Sequence, residues 1–160
     1  MTRRCRRIVP AVALISLGVG IFLTIARPPR PILVWNASAS APIGLYGIGG
    51  VGRIAKDDMV IARLAEPYRA LAASRHYLPA NVPLVKRIAA VPGDRVCARG
   101  SRVFVDGRAV AARLKVDTRG RAMPWWNGCI RLGANQLMLL MTDNPASFDG
   151  RYFESARAAT

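Results

Sequence analysis

Val82-Pro83-Leu84-Val85-Lys86-Arg87-Ile88-Ala89-Ala90-Val91-Pro92-Gly93-Asp94 is the stretch on which the fold turns. Leu84 to Val91 are apolar apart from one charged pair, and Pro92-Gly93-Asp94 ends them with a turn. In an alternating strand Leu84, Lys86 and Ile88 share the inward face and Arg87 points outward. An inward lysine is costly unless it is neutral or paired. Burial lowers a lysine pKa from about 10.4, by several units in extreme cases, and leaves an amine able to act as a base. The ordinary alternative is a surface lysine whose stem lies along apolar neighbours while its head stays in water.

Downstream of the turn, Arg95 to Ala98 and Arg102 to Val105 flank Arg99-Gly100-Ser101, and Asp106-Gly107 follows. This predicts a β-meander. Leu137 to Met141 (LMLLM) is a continuous apolar strand, and Met141 to Phe153 follows it as a polar loop in which Asp149 and Arg151 are placed to pair. Upstream, Asp58 to Leu64 predicts a strand. Glu66 to Arg75 carries the one helix signal outside the N-terminal segment, with Pro67 at its first position and Ala and Leu filling it. Asn36 to Gly52 is rich in Ala, Ser, Gly and Pro and reads as loop and turn, with a short strand over Gly44 to Ile48 and another before it over Ile32 to Trp35.

Ile8 to Ala26 is a run of apolar and uncharged residues, long enough as a helix to cross a bilayer's hydrocarbon core of about 30 Å. Pro10 falls in its first turn, where the missing N–H costs little. A cleaved secretory signal and an uncleaved anchor both begin this way. The length of the run and the following Arg27-Pro28-Pro29-Arg30-Pro31 favour the anchor. Arg3, Arg4, Arg6 and Arg7 before the run place the N-terminus in the cytoplasm and the remainder outside. The expected organisation is a basic cytoplasmic tail over 1–7, a transmembrane anchor over 8–26, a stiff linker over 27–31 and one folded domain over 32–160.

The chain of 160 residues carries a net charge of +15, and with those four arginines set aside 20 basic residues still face 9 acidic ones. Such an excess fits attraction to anionic headgroups or DNA, and equally a genomic preference for arginine. Hydrophobic residues make up 52%, enough for a packed core, and aromatics only 7%, which argues against an aromatic platform for nucleic acid. One histidine, His76, and three scattered cysteines lack zinc-site spacing, and His76 has no nucleophile motif beside it. Cys5 lies on the cytoplasmic side and is expected to be a free thiol. Met123, Trp125 and Trp126 suit either an apolar contact surface or the core.

Three segments carry the chemistry. In Asn36 to Tyr46 a serine sits among small residues before Pro42, open to a substrate, and the proline fixes the backbone so that the Ser40 N–H can face a reacting carbonyl. The second segment holds Lys86, and the third is Met141 to Phe153. Together they resemble the S26 family, the signal peptidases. Ser40-Ala41-Pro42 resembles its nucleophile box, Lys86-Arg87-Ile88 with Val91-Pro92-Gly93-Asp94 its lysine box, and Asp143-Asn144 with Ser147 to Phe153 its C-terminal box. Pro42-Ile43-Gly44-Leu45-Tyr46, the Tyr77 to Leu84 approach to the lysine and a shorter nucleophile-to-proline spacing are similar to the TraF-type conjugal transfer peptidases of that family. Gly150 and Glu154 depart from the box, which usually has serine and glycine there.

The resemblance implies a mainly β fold: a signal-peptidase-like antiparallel β domain with one N-terminal transmembrane helix and one short helix. It implies a Ser/Lys dyad, Ser40 as nucleophile and Lys86 as general base, with the Ser40 N–H and the Ser38 hydroxyl facing the oxyanion. It implies that Ser147 orients the amine and that Asp149 and Arg151 order the site. A Cys97–Cys129 bridge is expected from the pair the TraF-type branch carries, outside the cell where disulfides persist. No cofactor, metal or nucleic acid is expected. The implied setting is a bacterial inner membrane with a periplasmic catalytic domain. The implied partner is an exported precursor protein, a conjugative pilin precursor first of all. A general signal peptidase and a non-catalytic, membrane-tethered transfer-channel component are the rival readings.

Overall fold

The computed structural model describes residues 5–27, 32–36, 38, 40–50, 52, 54–154 and 156–157. The first four residues of the expected tail and residues 28–31 of the linker expected over 27–31 lie outside them. Helix α1 runs from Cys5 to Ala26. Its uncharged stretch Val9–Ala26 is long and apolar enough to cross a membrane, and among the described residues nothing covers it. In lipid only a helix lets a lone segment satisfy its own backbone polar groups, and the Thr24 hydroxyl is satisfied locally by donating to the Ile21 carbonyl at 2.7 Å.

The rest is mainly antiparallel β-structure with short helices. Strands β1 (Leu33–Asn36) and β2 (Gly44–Gly47) pair as a two-stranded ribbon with Asn36 opposite Gly44, so the serine loop is the connection of a hairpin. Next come β3 (Met59–Ala62), helix α2 (Tyr68–Ser74) and β4 (Leu84–Ala90). They are followed by β5 (Arg95–Arg99), β6 (Arg102–Val105), β7 (Arg108–Ala112), β8 (Gly128–Arg131) and β9 (Gln136–Leu140). Helix α3 (Gly150–Phe153) and β10 (Ala156–Arg157) close the chain. One sheet has the order β10-β9-β4-β3 and the other β7-β6-β5-β8.

The 82–94 stretch behaves as its pattern requires. β4 lies between β3 and β9, Lys86 is opposite Val60, and Arg87 points out and donates to the Asp57 carbonyl at 2.7 Å. Val85 is buried as well, because its face packs on Ala41 and Met141; strict alternation does not capture a strand covered on both sides at one end. Gly93, at φ 95, makes the turn after β4, and the Asp94 carboxylate accepts from the Val91 N–H at 2.8 Å. Asp106 and Gly107, at φ 48 and 84, form the tight β6–β7 connection, the left-handed pair that such two-residue hairpins need. The main core packs Val96, Ala98, Val103 and Val105 of the second sheet against Ala90 of β4 and Met138 and Leu140 of β9.

Five elements differ from expectation. β7 and β8 are strands although RAVAA and GCIR alternate weakly, since sheet pairing supplies what the local pattern lacks. The expected loop over 141–153 ends in the single turn α3, capped by the Asp149 side chain accepting from the Arg151 N–H at 3.2 Å. β10 pairs with β9 without any apolar signature. The helix expected over 66–75 is shorter, Tyr68–Ser74, with Pro67 at its N-cap after a cis Glu66–Pro67 bond.

Candidate active site

Strand β4 delivers Lys86 to the interior, where the residue is 1% exposed. Its Nζ lies 2.7 Å from Ser40 Oγ and 2.8 Å from Ser147 Oγ. Burial is the main influence on the amine and brings its pKa down to about 8; the negative charge of Asp149 opposes that shift and the Arg151 guanidinium adds to it. An amine with a lone pair accepts from one hydroxyl while donating to another, and the two serines offer both roles.

The Ser40 loop owes its shape to Asn36, the buried last residue of β1. Its side-chain amide donates to the carbonyls of Ser38, Ala41 and Pro42 at 3.0, 3.1 and 3.0 Å, and its carbonyl accepts from the Ser38 N–H at 3.2 Å. The β1–β2 pairing brings the two ends of the loop together, and this one amide gathers three loop carbonyls, of which that of Ser38 also accepts from the Ala41 N–H at 3.4 Å and that of Pro42 from the Tyr46 hydroxyl at 2.7 Å. The Ser38 hydroxyl then lies 2.8 Å from Ser40 Oγ and accepts from the Ser40 N–H at 3.3 Å. The two groups expected to face an oxyanion therefore converge beside Ser40 Oγ. Asn36 carried no expected role; an asparagine just before a small-residue loop was the available signal.

Ser147 is held by its N–H donating to the Asn144 carbonyl at 3.1 Å. Beneath it Asp149 and Arg151, both 0% exposed, form a closed pair. Asp149 Oδ1 accepts from Arg151 Nε at 2.7 Å, and Asp149 Oδ2 accepts from Arg151 Nη2 at 3.1 Å and from the Met141 N–H at 3.0 Å. The guanidinium also donates to the carbonyls of Ala112, Pro145 and Met141 at 2.9, 3.0 and 2.8 Å. A buried pair this fully bonded ties the end of β9, the loop after it and the end of β7 into one unit. Neither partner hydrogen-bonds Lys86; Asp149 and Arg151 act on it through their charge. Gly150 sits against β9, where an added Cβ would meet Met138 Sδ at 2.7 Å and the Leu139 carbonyl oxygen at 2.9 Å. The departure from the box at this position thus matches tight packing in this chain.

A cleft of about 320 Å³ opens on Ser38, Ser40, Lys86 and Ser147, and its far walls are largely apolar, with Leu78, Leu114 and Met123 among the lining residues. His76 stands just beyond α2 at φ 59 and does not line this cleft. Of the three residues that suited either surface or core, Met123 lines the cleft, Trp125 lies under the Arg113 guanidinium at 3.8 Å and Trp126 packs on the main core. Cys97 and Cys129 face each other across β5 and β8 and are bonded.

A serine hydroxyl beside a desolvated amine, with hydrogen-bond donors converging next to it, is equipped for acyl transfer, the chemistry of serine-type hydrolases. The family model described as signal peptidase, peptidase S26, matches residues 1–159, and the chain belongs to that family, the serine-type peptidases of signal-peptidase kind. Two relatives from Escherichia coli both carry the name plasmid transfer protein TraF. One is 28% identical over 165 residues, covering 96% of this chain and 90% of the relative. The other is 34% identical over 73 residues, covering 44% of this chain and 41% of the relative, less than two thirds of its length.

Proposed function

We infer that this protein is a membrane-anchored serine endopeptidase with a Ser40/Lys86 dyad that processes an exported precursor during plasmid transfer, a conjugative pilin precursor being the expected client. The single observation carrying the dyad is the 2.7 Å approach of Lys86 Nζ to Ser40 Oγ inside the protein, with the amine pKa lowered to about 8 by burial. Names of relatives support the transfer setting.

In this reading neutral Lys86 takes the Ser40 proton as Oγ attacks the scissile carbonyl, and the C–O bond forms as the carbonyl π bond opens to an oxyanion. The Ser40 N–H, exchanging its 3.3 Å bond to Ser38 Oγ for the oxyanion, and the Ser38 hydroxyl stabilise that charge, each such donor lowering the barrier by roughly 3–4 kcal/mol. The C–N bond then breaks, and protonated Lys86 returns its proton to the leaving amine. Water resolves the acyl-enzyme by hydrolysis, or an amine of the substrate resolves it by forming a new peptide bond; product mass separates the two. Ser147 keeps the amine on line.

The site's placement supports work at a bilayer surface. Ile32, Leu33, Trp35, Ile43 and Leu45, on or beside the hairpin that carries Ser40, are all more than half exposed. The hairpin begins a few residues after the apolar helix ends, and such a patch suits an interface better than open water. With the arginines ahead of the helix on the cytoplasmic side, the catalytic domain is periplasmic.

The test is precursor processing by Ser40→Ala and Lys86→Ala. Each is expected to abolish cleavage while the protein stays folded by circular dichroism. Plasmid transfer and precursor processing that both stay intact in cells carrying either variant refute the dyad and leave a membrane-tethered scaffold as the reading.

A further inference from the structure

The cleft wall facing Ser40 and Lys86 is built by the segment that joins β7 to β8, which contributes Leu114, Val116, Asp117, Thr118 and Met123 to the lining. Residues 115–123 fold back on themselves as a strap. Val116 bridges Ala122, the Asp117 N–H donates to the Arg121 carbonyl at 2.9 Å, and the Met123 N–H donates to the Lys115 carbonyl at 2.9 Å. A two-stranded excursion of this kind has little stability of its own and depends on what it is fastened to.

Its fastening is the end of α2. The Tyr77 hydroxyl donates to Asp117 Oδ2 at 2.5 Å and lies 3.5 Å from Met123 Sδ. Arg75 donates to the Ala122 carbonyl at 2.8 Å, and Arg121 donates back to the Arg75 carbonyl at 3.3 Å. Asp117 is itself held in place by Arg121 Nε at 2.7 Å and by the N–H groups of Arg119 and Arg121 at 2.8 and 2.9 Å. On its other side the Tyr77 ring packs on Phe148 at 5.2 Å, the residue after Ser147. Tyr77 thus spans from the strap to the loop that carries Ser147, and both Tyr77 and Asp117 line the cleft.

We propose that Tyr77 and Asp117 form a clasp that sets the width of the substrate cleft, making them specificity-determining residues of the proposed peptidase reaction. The clasp fixes the strap at one distance from Ser40, so side chains on the acyl side of the scissile bond are admitted only up to the size that the apolar wall of Leu114, Val116 and Met123 allows. Cutting the clasp lets the strap move outward and admits larger apolar side chains. Neither residue hydrogen-bonds Ser40 or Lys86, so both act through the wall and leave the acyl-transfer step alone.

This inference rests on the peptidase reading, and the experiment separates the two. Full-length protein in detergent micelles is given a mixture of short synthetic peptides of random sequence, with cleavage read by mass spectrometry. Tyr77→Phe keeps the ring against Phe148 and removes only the hydroxyl; Asp117→Asn keeps the shape and weakens the acceptor. In both, cleavage after Leu and Phe relative to cleavage after Ala is expected to rise about tenfold, the scale of a pocket that gains room for a few methylenes. The pH profile of kcat is expected to stay in place. Selectivity that does not move in either folded variant, with Ser40→Ala inactive, overturns the clasp alone. A displaced pH profile with unchanged selectivity also overturns it, because Tyr77 would then be acting through Phe148 and Ser147 on the amine. Cleavage that survives Ser40→Ala overturns the peptidase reading and the clasp with it.

Discussion

Lys86 should make both activity and stability depend on pH, in a window its environment defines. The folded amine has its pKa lowered to about 8 by burial, against 10.5 for an ordinary lysine. About one-tenth of a group with a pKa near 8 is neutral at pH 7 and about nine-tenths at pH 9, so kcat/KM should rise about tenfold between them and then level off. The same shift has a stability consequence. The folded state holds its proton less firmly than the unfolded chain, so between about pH 8 and 10.5 the unfolded chain carries more protons and stability rises with pH. Below pH 8 the buried charge costs the folded state about 3 kcal/mol. Lys86→Met removes that cost but leaves the buried Ser147 hydroxyl without its partner, a loss of about 1–3 kcal/mol. The variant should therefore match or modestly exceed the native protein in stability at pH 7 and lose ground steadily as pH approaches 10.5. Urea unfolding of both proteins in micelles across pH 6–10.5, beside precursor cleavage rates over the same range, measures both effects. A rate flat from pH 6 to 9, or a stability difference between the two proteins that ignores pH, refutes the picture of a desolvated amine.

Three further outcomes follow from the geometry. Ser147→Ala removes one of the two hydroxyls at the Lys86 amine, and steady-state kinetics should show kcat down about 10- to 100-fold with KM nearly unchanged. Gly150→Ser restores the residue usual in the box but drives a Cβ against Met138 and the β9 backbone, so unfolding should show a loss of about 1–3 kcal/mol, and a neutral result would mean that β9 yields easily there. Cys97→Ser with Cys129→Ser opens a closure 32 residues apart in sequence, and the melting temperature should drop by the equivalent of about 3–4 kcal/mol, a drop that reductant should reproduce in the native protein and not in the double variant.

The β4 stretch shows how far local pattern reaches. A period of two and a turn after Val91 were enough to put Lys86 inside and Arg87 outside, and the structure agrees at both positions. The β-meander and the apolar helix were equally legible, since glycine turns and hydrophobic length are properties of short segments. The range of β7 was not, nor were β8, β10 and α3, because each is short and takes its conformation from a neighbour: β7 from β6, β8 from β5, β10 from β9, and α3 from the cap that Asp149 supplies.

The sequence by itself determined that the chain begins with a helix able to cross a membrane, that its domain is antiparallel β, and which polar residues stand in segments able to do chemistry. The family resemblance implied that Ser40, Lys86 and Ser147 share a site, but local pattern could not join a lysine to serines 46 and 61 residues away, and only the tertiary structure supplied their distances of 2.7 and 2.8 Å. That meeting depends on how the hairpin and the two strands β4 and β9 are set against each other, and sheet register is a property of many paired residues at once, which no single segment encodes. The roles of Asn36, Tyr77 and Asp117 were hidden for the same reason. Each is an ordinary polar residue until the fold gives it carbonyls to gather or a strap to hold.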